Sequence, residues 1–387
     1  MNTIKDKVAI CGLGETRYYK RGTAPIAEFK LAVEAITRAA ADAGIPVTDI
    51  DGFASYSNDR NDPSRLATAL GLKHLAYSNM FWGGGGGGGS GAVGNAAAAI
   101  AAGYAKYVVV FRALAQGQFG RFGQAAPMSS VSGDFAYTIP YGLMSPAQMF
   151  AMKVMRFMHE HRVEQDALAA VALAAYHHAQ SNPRAIMYGR PLTREAYYDS
   201  RWIVEPFHLY DCCLENDGAA AVILTGAERA RDLKQKPAYV MAAAQGSDYR
   251  QNAPAHNQPD YATSNFKTLA PRLYEMAGVT PDDVDVVQAY ENFTGGVVMS
   301  LVEHGFCDPD EVNEFCTFEN LSAPGGRLPL NTSGGNLAEC YMHGLELVIE
   351  AARQVRGTST CQVKDANISM VISGPMVTPV SNLILRG

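Results

Sequence analysis

A run of seven glycines, Gly83–Gly89, is the feature of this sequence with the clearest chemical use. Ser90 and Gly91 follow it, and an alanine-rich segment of good helix formers, residues 92–102, comes next. Backbone without side chains at the start of a helix exposes N–H groups at the positive end of the helix dipole, where a ligand oxygen can approach them closely. The run therefore predicts the floor of an active site. A tight turn or a disordered loop is the alternative interpretation.

The segments around this run predict alternating strands and helices along the chain. In the first half we expect strands at Val8–Gly12, Asp49–Ala54, Tyr107–Phe111 and Ala219–Thr225, and helices at about 24–44, 146–158 and 163–181. In the second half we expect strands at Ala238–Ala244, Val284–Ala289 and Asn367–Ser373, helices at about 260–277, Asn292–His304 and Leu337–Val355, and a loop at Asn331–Gly335.

The two halves of the chain repeat one pattern. Each has a helix ending in Ala-Gly, a short turn with aspartate and then a strand, at residues 42–53 and again at 276–287. Such self-similarity indicates duplication, so we predict an α/β fold of two similar halves with sheets packed between helix layers. The first half is expected to span residues 1–226 and to contain an inserted loop region at about 115–205. The second half is expected to span residues 237–387, after a polar connector.

Composition and charge restrict the classes of function. The chain has 387 residues, is 48% hydrophobic and 18% charged, and is therefore expected to be globular rather than disordered. A net charge of −6 argues against nucleic acid or an anionic membrane as the main partner, and no apolar stretch is long enough to span a membrane. The N-terminal residues lead into a strand and do not resemble a signal peptide. Seven cysteines without a CxxC pair argue against disulfides and structural metal, and favour a cytoplasmic protein.

Four segments carry a resemblance to a known family. Cys11–Thr16 resembles an opening strand and turn, and Asn331–Gly335 resembles the loop before a catalytic histidine helix. The most specific match is Asp211–Cys213 together with Asn216–Val222. It resembles the segment that ends the first of the two halves in this family. Nearly end to end, the chain resembles the sterol-carrier-protein-like branch of the thiolase superfamily. The resemblance implies a thiolase-like five-layer αβαβα fold, a tight homodimer, and coenzyme A thioesters as substrates.

The sequence departs from that family at all four of its catalytic positions. The nucleophilic cysteine, which needs a helix N-terminus to lower its pKa, would fall near Gly86. The two catalytic histidines would fall at Tyr290 and Tyr341, and the second cysteine near Ser373 and Gly374. Acyl transfer through a thioacyl-enzyme is therefore not expected.

The groups that remain suit the cleavage of a carbon–carbon bond without a covalent nucleophile. Backbone N–H groups of Gly86 and Gly374 can stabilise a thioester enolate, and the phenols of Tyr290 and Tyr341 can transfer a proton. This set resembles the thiolase-like aldolases of steroid side-chain degradation, which have paired tyrosines at the histidine positions. The resemblance implies retro-aldol cleavage of a β-hydroxyacyl-CoA, such as a 17-hydroxy steroid side-chain thioester, to a 17-ketosteroid and a short acyl-CoA such as propionyl-CoA.

The same resemblance implies partners. It predicts a heterotetramer with a small protein that combines an OB-fold and a zinc ribbon, in addition to the homodimer. Coenzyme A is expected only as part of the substrate and the product, with no covalently bound cofactor. The glycine run is expected to leave room for a bulky tertiary β-hydroxyl substrate where the family has its cysteine loop.

Other interpretations of the candidate residues stay open. Tyr290 and Tyr341 can be ordinary half-buried aromatics, and His343 can replace Tyr341 as the base. Cys340 is either a displaced nucleophile or a small packed residue. A displaced nucleophile would give a thiolytic or condensing enzyme, and a chain without catalytic groups would be an acyl-CoA or lipid carrier.

Further residues near these positions have two interpretations each. Glu291 either tunes Tyr290 or caps the following helix, and Asn292 is a candidate for positioning a water. Cys212 and Cys213 are expected in the core. A set of methionines at helical spacing either lines a sterol pocket or packs in the core: Met149, Met152, Met155 and Met158.

Overall fold

The computed structural model describes residues 4–119, 121, 123, 130–249, 251 and 260–387. Within them, most strands belong to one large sheet, and two short strands form a separate hairpin. The strands are β1 (Val8–Glu15), β2 (Tyr19–Lys20), β3 (Gly52–Tyr56), β4 (Tyr77–Phe81), β5 (Tyr107–Ala115), β6 (Trp202–Val204), β7 (Phe207–His208), β8 (Asn216–Gly226), β9 (Ala238–Gly246), β10 (Val286–Ala289), β11 (Ile368–Ser373) and β12 (Val380–Arg386).

Helices of very different length connect these strands. They are α1 (Glu28–Ala43), α2 (Pro63–Leu70), α3 (Gly88–Ala101), α4 (Gln116–Phe119), α5 (Pro146–His161), α6 (Gln165–Ala179), α7 (Arg194–Tyr198), α8 (Ala227–Ala230), α9 (Leu269–Ala277), α10 (Thr294–Glu303), α11 (Val312–Phe315), α12 (Phe318–Leu321) and α13 (Leu345–Arg356). A single 3₁₀ turn, Gly85–Gly87, precedes α3, and a π-helical turn, Gly335–Glu339, comes shortly before α13.

The strand order repeats between the two halves of the large sheet, which runs β10-β11-β12-β9-β1-β8-β5-β3-β4. In the first half, β3 is parallel to β5, and β5, β8 and β1 are successively antiparallel. In the second half, β10 is parallel to β11, and β11, β12 and β9 are successively antiparallel. This repetition agrees with a duplicated fold. The exact boundaries at residues 226 and 237 stay a prediction.

Helices α3 and α13 form the layer between the two half-sheets. Helix α3 packs against β3, β5 and β8 of the first half and against β9 and β12 of the second. Helix α13 packs against β10 and β11 but also reaches β8. With α1 outside the first half-sheet and α9 outside the second, the layers follow the order αβαβα. The buried positions of α3 are glycine, alanine, serine and valine, because only small side chains fit a helix packed between two sheets.

Two helices predicted in the second half were too long. Residues 260–268 form a loop, and α9 begins only at Leu269. Here the buried Glu303 carboxylate accepts hydrogen bonds from Ser264 N–H and Phe266 N–H at 2.9 and 2.7 Å, which fixes a non-helical backbone. The predicted helix Leu337–Val355 is interrupted between the π turn and α13. His343 and Gly344 have φ values of +59° and +90°, which a continuous α-helix does not allow.

Other differences are smaller. The polar connector after residue 226 contains the short helix α8, and the strand β12 was not predicted from the sequence. Part of the predicted loop region at 115–205, namely residues 120, 122 and 124–129, lies outside the described residues. Among the described helices, none has the length and the continuous apolar character that crossing a membrane requires.

Candidate active site

The structure brings the two candidate phenols into contact. Tyr290 follows directly after β10, and its N–H donates to the Ile372 carbonyl of β11 at 2.8 Å. Tyr341 lies in the interruption before α13, where its N–H donates to the Asn216 side-chain oxygen at 2.6 Å. Both rings are buried, with 2% and 5% exposure, and the two phenol oxygens are 2.7 Å apart. A hydrogen-bonded phenol pair of this kind can pass a proton from one oxygen to the other.

The two phenols differ in acidity. Burial raises both pKa values well above the ordinary value, because it disfavours a phenolate. The hydrogen bond between the rings lowers the pKa of Tyr341 and raises that of Tyr290. The buried Arg112 guanidinium further lowers the pKa of Tyr341. Either phenol can be the donor of the hydrogen bond between them, and both are neutral groups in the folded protein.

Gly86 lies directly against the ring of Tyr290. A Cβ atom at position 86 would be 2.0 Å from Tyr290 Cζ and 2.4 Å from its Oη, so no residue with a side chain fits there. The phenol therefore occupies the space in which a cysteine side chain would lie. The expectation that this space is left for a bulky substrate was wrong at Gly86, because the Tyr290 ring takes it. Gly344 has a similar role, since its Cβ would be 2.9 Å from Tyr290 Cδ2.

Serine hydroxyls from the second half-sheet hold the start of α3. Ser373 Oγ accepts from the Ser90 N–H at 3.2 Å and is 2.8 Å from the Ser90 hydroxyl. Ser381 Oγ accepts from the Gly91 N–H at 2.8 Å and donates to the Gly87 carbonyl. These contacts order a glycine-rich turn that has no side chains of its own to pack.

Gly374 packs onto the same glycine turn. Its φ is +68°, and a Cβ at this position would be 2.2 Å from Gly87 N. The two predicted sources of backbone N–H groups, at Gly86 and Gly374, therefore lie on adjoining segments beside the Tyr290 ring. Their role in binding a substrate oxygen stays a prediction.

His343 lies beside the phenol pair. Its ring centroid is 5.6 Å from that of Tyr341 and 6.3 Å from that of Tyr290. The Tyr56 hydroxyl donates to the His343 carbonyl at 3.0 Å and holds its left-handed backbone. Burial, together with the positive charge of Arg112, lowers the pKa of the imidazole well below its usual value. His343 is thus a neutral imidazole in the site, so its interpretation as an alternative base stays open.

Asn292 is turned toward other parts of the chain. Its carbonyl accepts from the Cys213 N–H at 3.1 Å, and its side-chain oxygen accepts from the Phe293 N–H at 3.0 Å. No described hydrogen bond joins it to Tyr290 or Tyr341. The structure therefore gives no support to Asn292 as a group that acts on the phenols directly.

Glu291 packs under the turn that leads to Tyr341, not against the Tyr290 hydroxyl. A Cβ at Gly335 would be 1.8 Å from Glu291 Oε1. Burial raises the pKa of Glu291 to about 8, and the backbone N–H groups of Glu291 and Asn336 oppose this only in part. The carboxyl is therefore neutral at pH 7 and supports the π turn as a buried, protonated group.

Replacement of Glu291 by glutamine should stabilise the protein at alkaline pH. The folded state raises the pKa of Glu291 from 4.5 to about 8, so its favourable contribution is complete below pH 4.5 and is lost as the pH rises to about 8. Across this window, Glu291→Gln should gain about 1.4 kcal/mol of unfolding free energy per pH unit relative to the wild type. Urea denaturation of both proteins at several pH values measures this. A difference that does not change with pH would contradict a protonated Glu291.

A cavity of about 350 Å³ opens beside Tyr341. Aromatic and apolar side chains form much of its wall, and Arg121 and Arg201 add positive charge. Cys212 and Cys213 also line it, and as half-buried residues they pack against the hydrophobic core, as expected in part. None of the four methionines considered for a sterol pocket is in this wall, and Met152 and Met155 are 44% and 42% exposed. Of the two phenols, Tyr341 is the one that lines this cavity.

Cys340, next to Tyr341, does not have the properties of a nucleophile. It is fully buried, and burial together with nearby carboxylates raises the pKa of its thiol well above the usual value. We expect Cys340→Ala to keep its cleavage rate to within a few-fold and intact-protein mass spectrometry to find no acyl-enzyme. Loss of activity in this variant together with a trapped acyl-enzyme in the wild type would establish a cysteine mechanism instead.

Two residues of the site were not found from the sequence. Arg112 is the single charged residue of β5 and is 1% exposed. It donates to the Tyr56 carbonyl at 3.0 Å and pairs with the buried Asp59 at 3.3 Å. The sequence signal for Arg112 was an arginine within an otherwise apolar strand. Such an arginine is expected to be buried, and a buried arginine needs hydrogen-bond or ion-pair partners. Asn216 accepts a hydrogen bond from the Tyr341 N–H and is the first residue of the Asn216–Val222 segment. The sequence does not show which distant segment Asn216 contacts.

Comparisons with known proteins identify the class to which this fold and site belong. Residues 247–386 match the family model described as thiolase C-terminal domain-like. Human mitochondrial 3-ketoacyl-CoA thiolase has the same fold, with a TM-score of 0.68 at 12% identity over 100% of this chain and 99% of that one. The chain therefore has the thiolase fold, and its C-terminal part matches the thiolase C-terminal domain.

Two curated relatives define its place more narrowly. A steroid side-chain-cleaving aldolase of Thermomonospora curvata is 38% identical over 100% of this chain and 99% of its own length. The 17-hydroxy-3-oxo-4-pregnene-20-carboxyl-CoA lyase of Mycobacterium tuberculosis is also 38% identical, over 99% of this chain and 100% of its own length. A solved structure described as an Ltp2-ChsH2(DUF35) aldolase superposes with a TM-score of 0.92 at 37% identity, covering 100% of this chain and 99% of that one. The chain belongs to the family of these thiolase-like aldolases.

Proposed function

We propose that this protein is a retro-aldol lyase that cleaves a β-hydroxyacyl-CoA at the bond between its α and β carbons. The observation that carries the proposal is the Tyr290–Tyr341 pair, with its oxygens 2.7 Å apart beside Gly86. The pair replaces nucleophilic sulfur with groups for proton transfer. Tyr341 of this pair lines a cavity of about 350 Å³, which supports the entry of a substrate there.

The reaction needs one proton to leave the substrate hydroxyl and one to reach the α carbon. Tyr341, which lines the cavity, accepts the proton of the β-hydroxyl while it passes its own proton to Tyr290, whose proton moves on toward the α carbon, so both phenols stay neutral. In the same step the β oxygen forms a ketone, and the electrons of the carbon–carbon bond move into the thioester as an enolate. Backbone N–H groups of Gly86 and Gly374 stabilise the enolate oxygen. The proton from Tyr290 completes the α carbon, which leaves the enzyme unchanged.

The proposed substrate is a 17-hydroxy steroid side-chain thioester, cleaved to a 17-ketosteroid and a short acyl-CoA such as propionyl-CoA. The names of the two full-length relatives support this choice, since one is a steroid side-chain-cleaving aldolase and the other a lyase of a 17-hydroxy steroid carboxyl-CoA. Coenzyme A takes part as a piece of the substrate and of the product.

The proposed assembly is a homodimer that binds a small OB-fold and zinc-ribbon protein to form a heterotetramer. The free edge of the sheet at β4 supports the homodimer, because an exposed strand edge is a ready surface for pairing. Met80 of this strand and the adjacent Trp82 are 41% and 87% exposed, so the edge is also apolar. The similar solved structure contains a DUF35 partner, which supports a second protein.

Purification from the native host followed by a cleavage assay tests this function. We expect a small zinc protein to copurify, and the complex to release ketone and acyl-CoA in equal amounts from the 17-hydroxy thioester. A thioester that lacks the β-hydroxyl is the control and should bind without reacting. A complex that binds both thioesters and cleaves neither would contradict the lyase and favour an acyl-CoA carrier.

A further inference from the structure

A second cavity, of about 930 Å³, borders the segment that carries Tyr341. Ile186 in its wall donates its N–H to the Glu339 carbonyl at 2.9 Å, two residues before Tyr341. Tyr18 is also in the wall, and its hydroxyl binds the Glu15 carboxylate. None of these residues belongs to the phenol site itself, so the cavity has no role in the chemistry described above.

The wall of this cavity is strongly cationic. It contains six basic side chains, of Arg17, Lys20, Arg38, Arg184, Arg190 and Arg353, and only two acidic ones, of Glu15 and Glu215. Such a concentration is notable in a chain whose net charge is −6. Glu215 is already engaged outside the wall, with Arg121 at 2.7 Å and Arg21 at 3.6 Å. The cavity therefore has a surplus of positive charge that attracts anions.

Several hydrogen-bond donors of the wall have no acceptor in the described part of the chain. Glu15 binds Arg353 and lies 3.8 Å from Arg184, yet Arg353 Nη1 and Arg184 Nη2 are buried without a hydrogen bond. Arg17, Lys20 and Arg190 are exposed and form no ion pair with any described residue. Buried guanidinium N–H groups are costly to leave unpaired, and an anion with several oxygens would satisfy them.

The cationic cavity adjoins the cavity beside Tyr341. Met187, Leu214 and Glu215 line both of them. Two of these three residues are apolar, and they separate the region of phenols from the region of arginines. A ligand with a reactive thioester at one end, a slender chain in the middle and phosphates at the other end matches this order of surfaces.

We propose that the cationic cavity binds the phosphate-bearing nucleotide end of the acyl-CoA, while the thioester reaches Tyr341 past Met187 and Leu214. This rests on the proposed function for the identity of the ligand. Arg17, Lys20 and Arg190 contact phosphate oxygens, and the inner guanidiniums of Arg184 and Arg353 close the site. Binding energy from this end positions the thioester for a reaction that takes place at the other end.

Calorimetric titration of the full chain, alone and with its partner protein, tests the site. The ligands are coenzyme A, dephospho-coenzyme A and adenosine 3′,5′-bisphosphate. The variant combines Arg17→Ala, Lys20→Ala and Arg190→Ala, whose exposed side chains leave the internal ion pairs intact. Arg272→Ala, at an exposed position of α9, is the control. We expect the triple variant to lose at least about tenfold in affinity for coenzyme A and for the bisphosphate, and the control to lose none.

A truncated substrate separates this site from the chemistry. The pantetheine thioester of the same acyl group has no nucleotide, so wild type and triple variant should cleave it with equal kcat/KM, while the full thioester shows a raised KM in the variant. Unchanged affinity for coenzyme A in the triple variant, or an equal loss with the pantetheine thioester, would overturn the assignment. If the wild type binds coenzyme A through these residues but cleaves nothing, the proposed function fails and the site remains.

Discussion

Replacement of Tyr341 by phenylalanine should lower kcat by at least about 10²-fold, and up to about 10⁴-fold, without unfolding the protein. Tyr341 is the member of the phenol pair that lines the cavity, and in the proposed reaction it takes the proton of the substrate hydroxyl. Removing it deletes the proton acceptor but keeps the ring that fills the buried space. Steady-state cleavage of the 17-hydroxy thioester, together with thermal unfolding, measures both effects.

Tyr290→Phe should lower the rate as well. The two phenol oxygens are 2.7 Å apart, so removal of the Tyr290 hydroxyl interrupts the proton transfer between them while the ring stays in place. Tyr274→Phe is a matched control, because it removes a partly buried hydroxyl that donates to the His304 carbonyl at 2.8 Å, outside the site. Wild-type rates in both Tyr290→Phe and Tyr341→Phe would show that the phenols are structural.

Gly86→Ala should also abolish cleavage, through a single added methyl group. That group would be 2.0 Å from Tyr290 Cζ and 2.3 Å from its Cε2, so the ring has to leave its place beside Tyr341. The overpacking should reduce the unfolding free energy by about 1–3 kcal/mol. Gly89→Ala, in the helix α3 that follows the turn, is the matched control, because its nearest contact would be an ordinary 3.5 Å, to Ser373 Oγ. The measurements are kcat and urea denaturation.

A double-mutant cycle shows whether Tyr290 is the cause of this loss. In a Tyr290→Ala background the clash is absent, so the destabilisation by Gly86→Ala should largely disappear. Activity should stay lost in the double variant, because the phenol pair is gone. An equal loss of stability in both backgrounds would mean that position 86 requires glycine for a reason unrelated to the Tyr290 ring.

Gly86 and the ring of Tyr290 bear on the choice between a cysteine nucleophile and a phenol pair. A cysteine side chain at position 86 and the Tyr290 ring exclude each other, because they need the same volume. A variant that restores only the cysteine should regain no thiolase activity.

The sequence by itself determined the class of fold, and it indicated the two repeated halves and the candidate residues Gly86, Tyr290 and Tyr341. Local periodicity, glycine turns and short motifs carry that information, because each is written within a few neighbouring residues. The positions of Tyr290 and Tyr341 could be predicted in this way, although their contact could not. The same local signals predicted too long a helix at Leu337–Val355, because they give no indication of the turn that contains Tyr341.

Only the tertiary structure decided how these groups meet. The hydrogen bond between the phenols joins residues 51 positions apart, and the hydrogen bond from the Tyr341 N–H to the Asn216 side chain joins residues 125 positions apart. The exclusion of a side chain at Gly86, the capping of α3 by serines of the other half and the cationic cavity all depend on contacts between distant segments. Steric exclusion and electrostatic attraction act between groups that are close in three dimensions. A sequence pattern shows which groups are present, but it does not show which of them are neighbours in the folded protein.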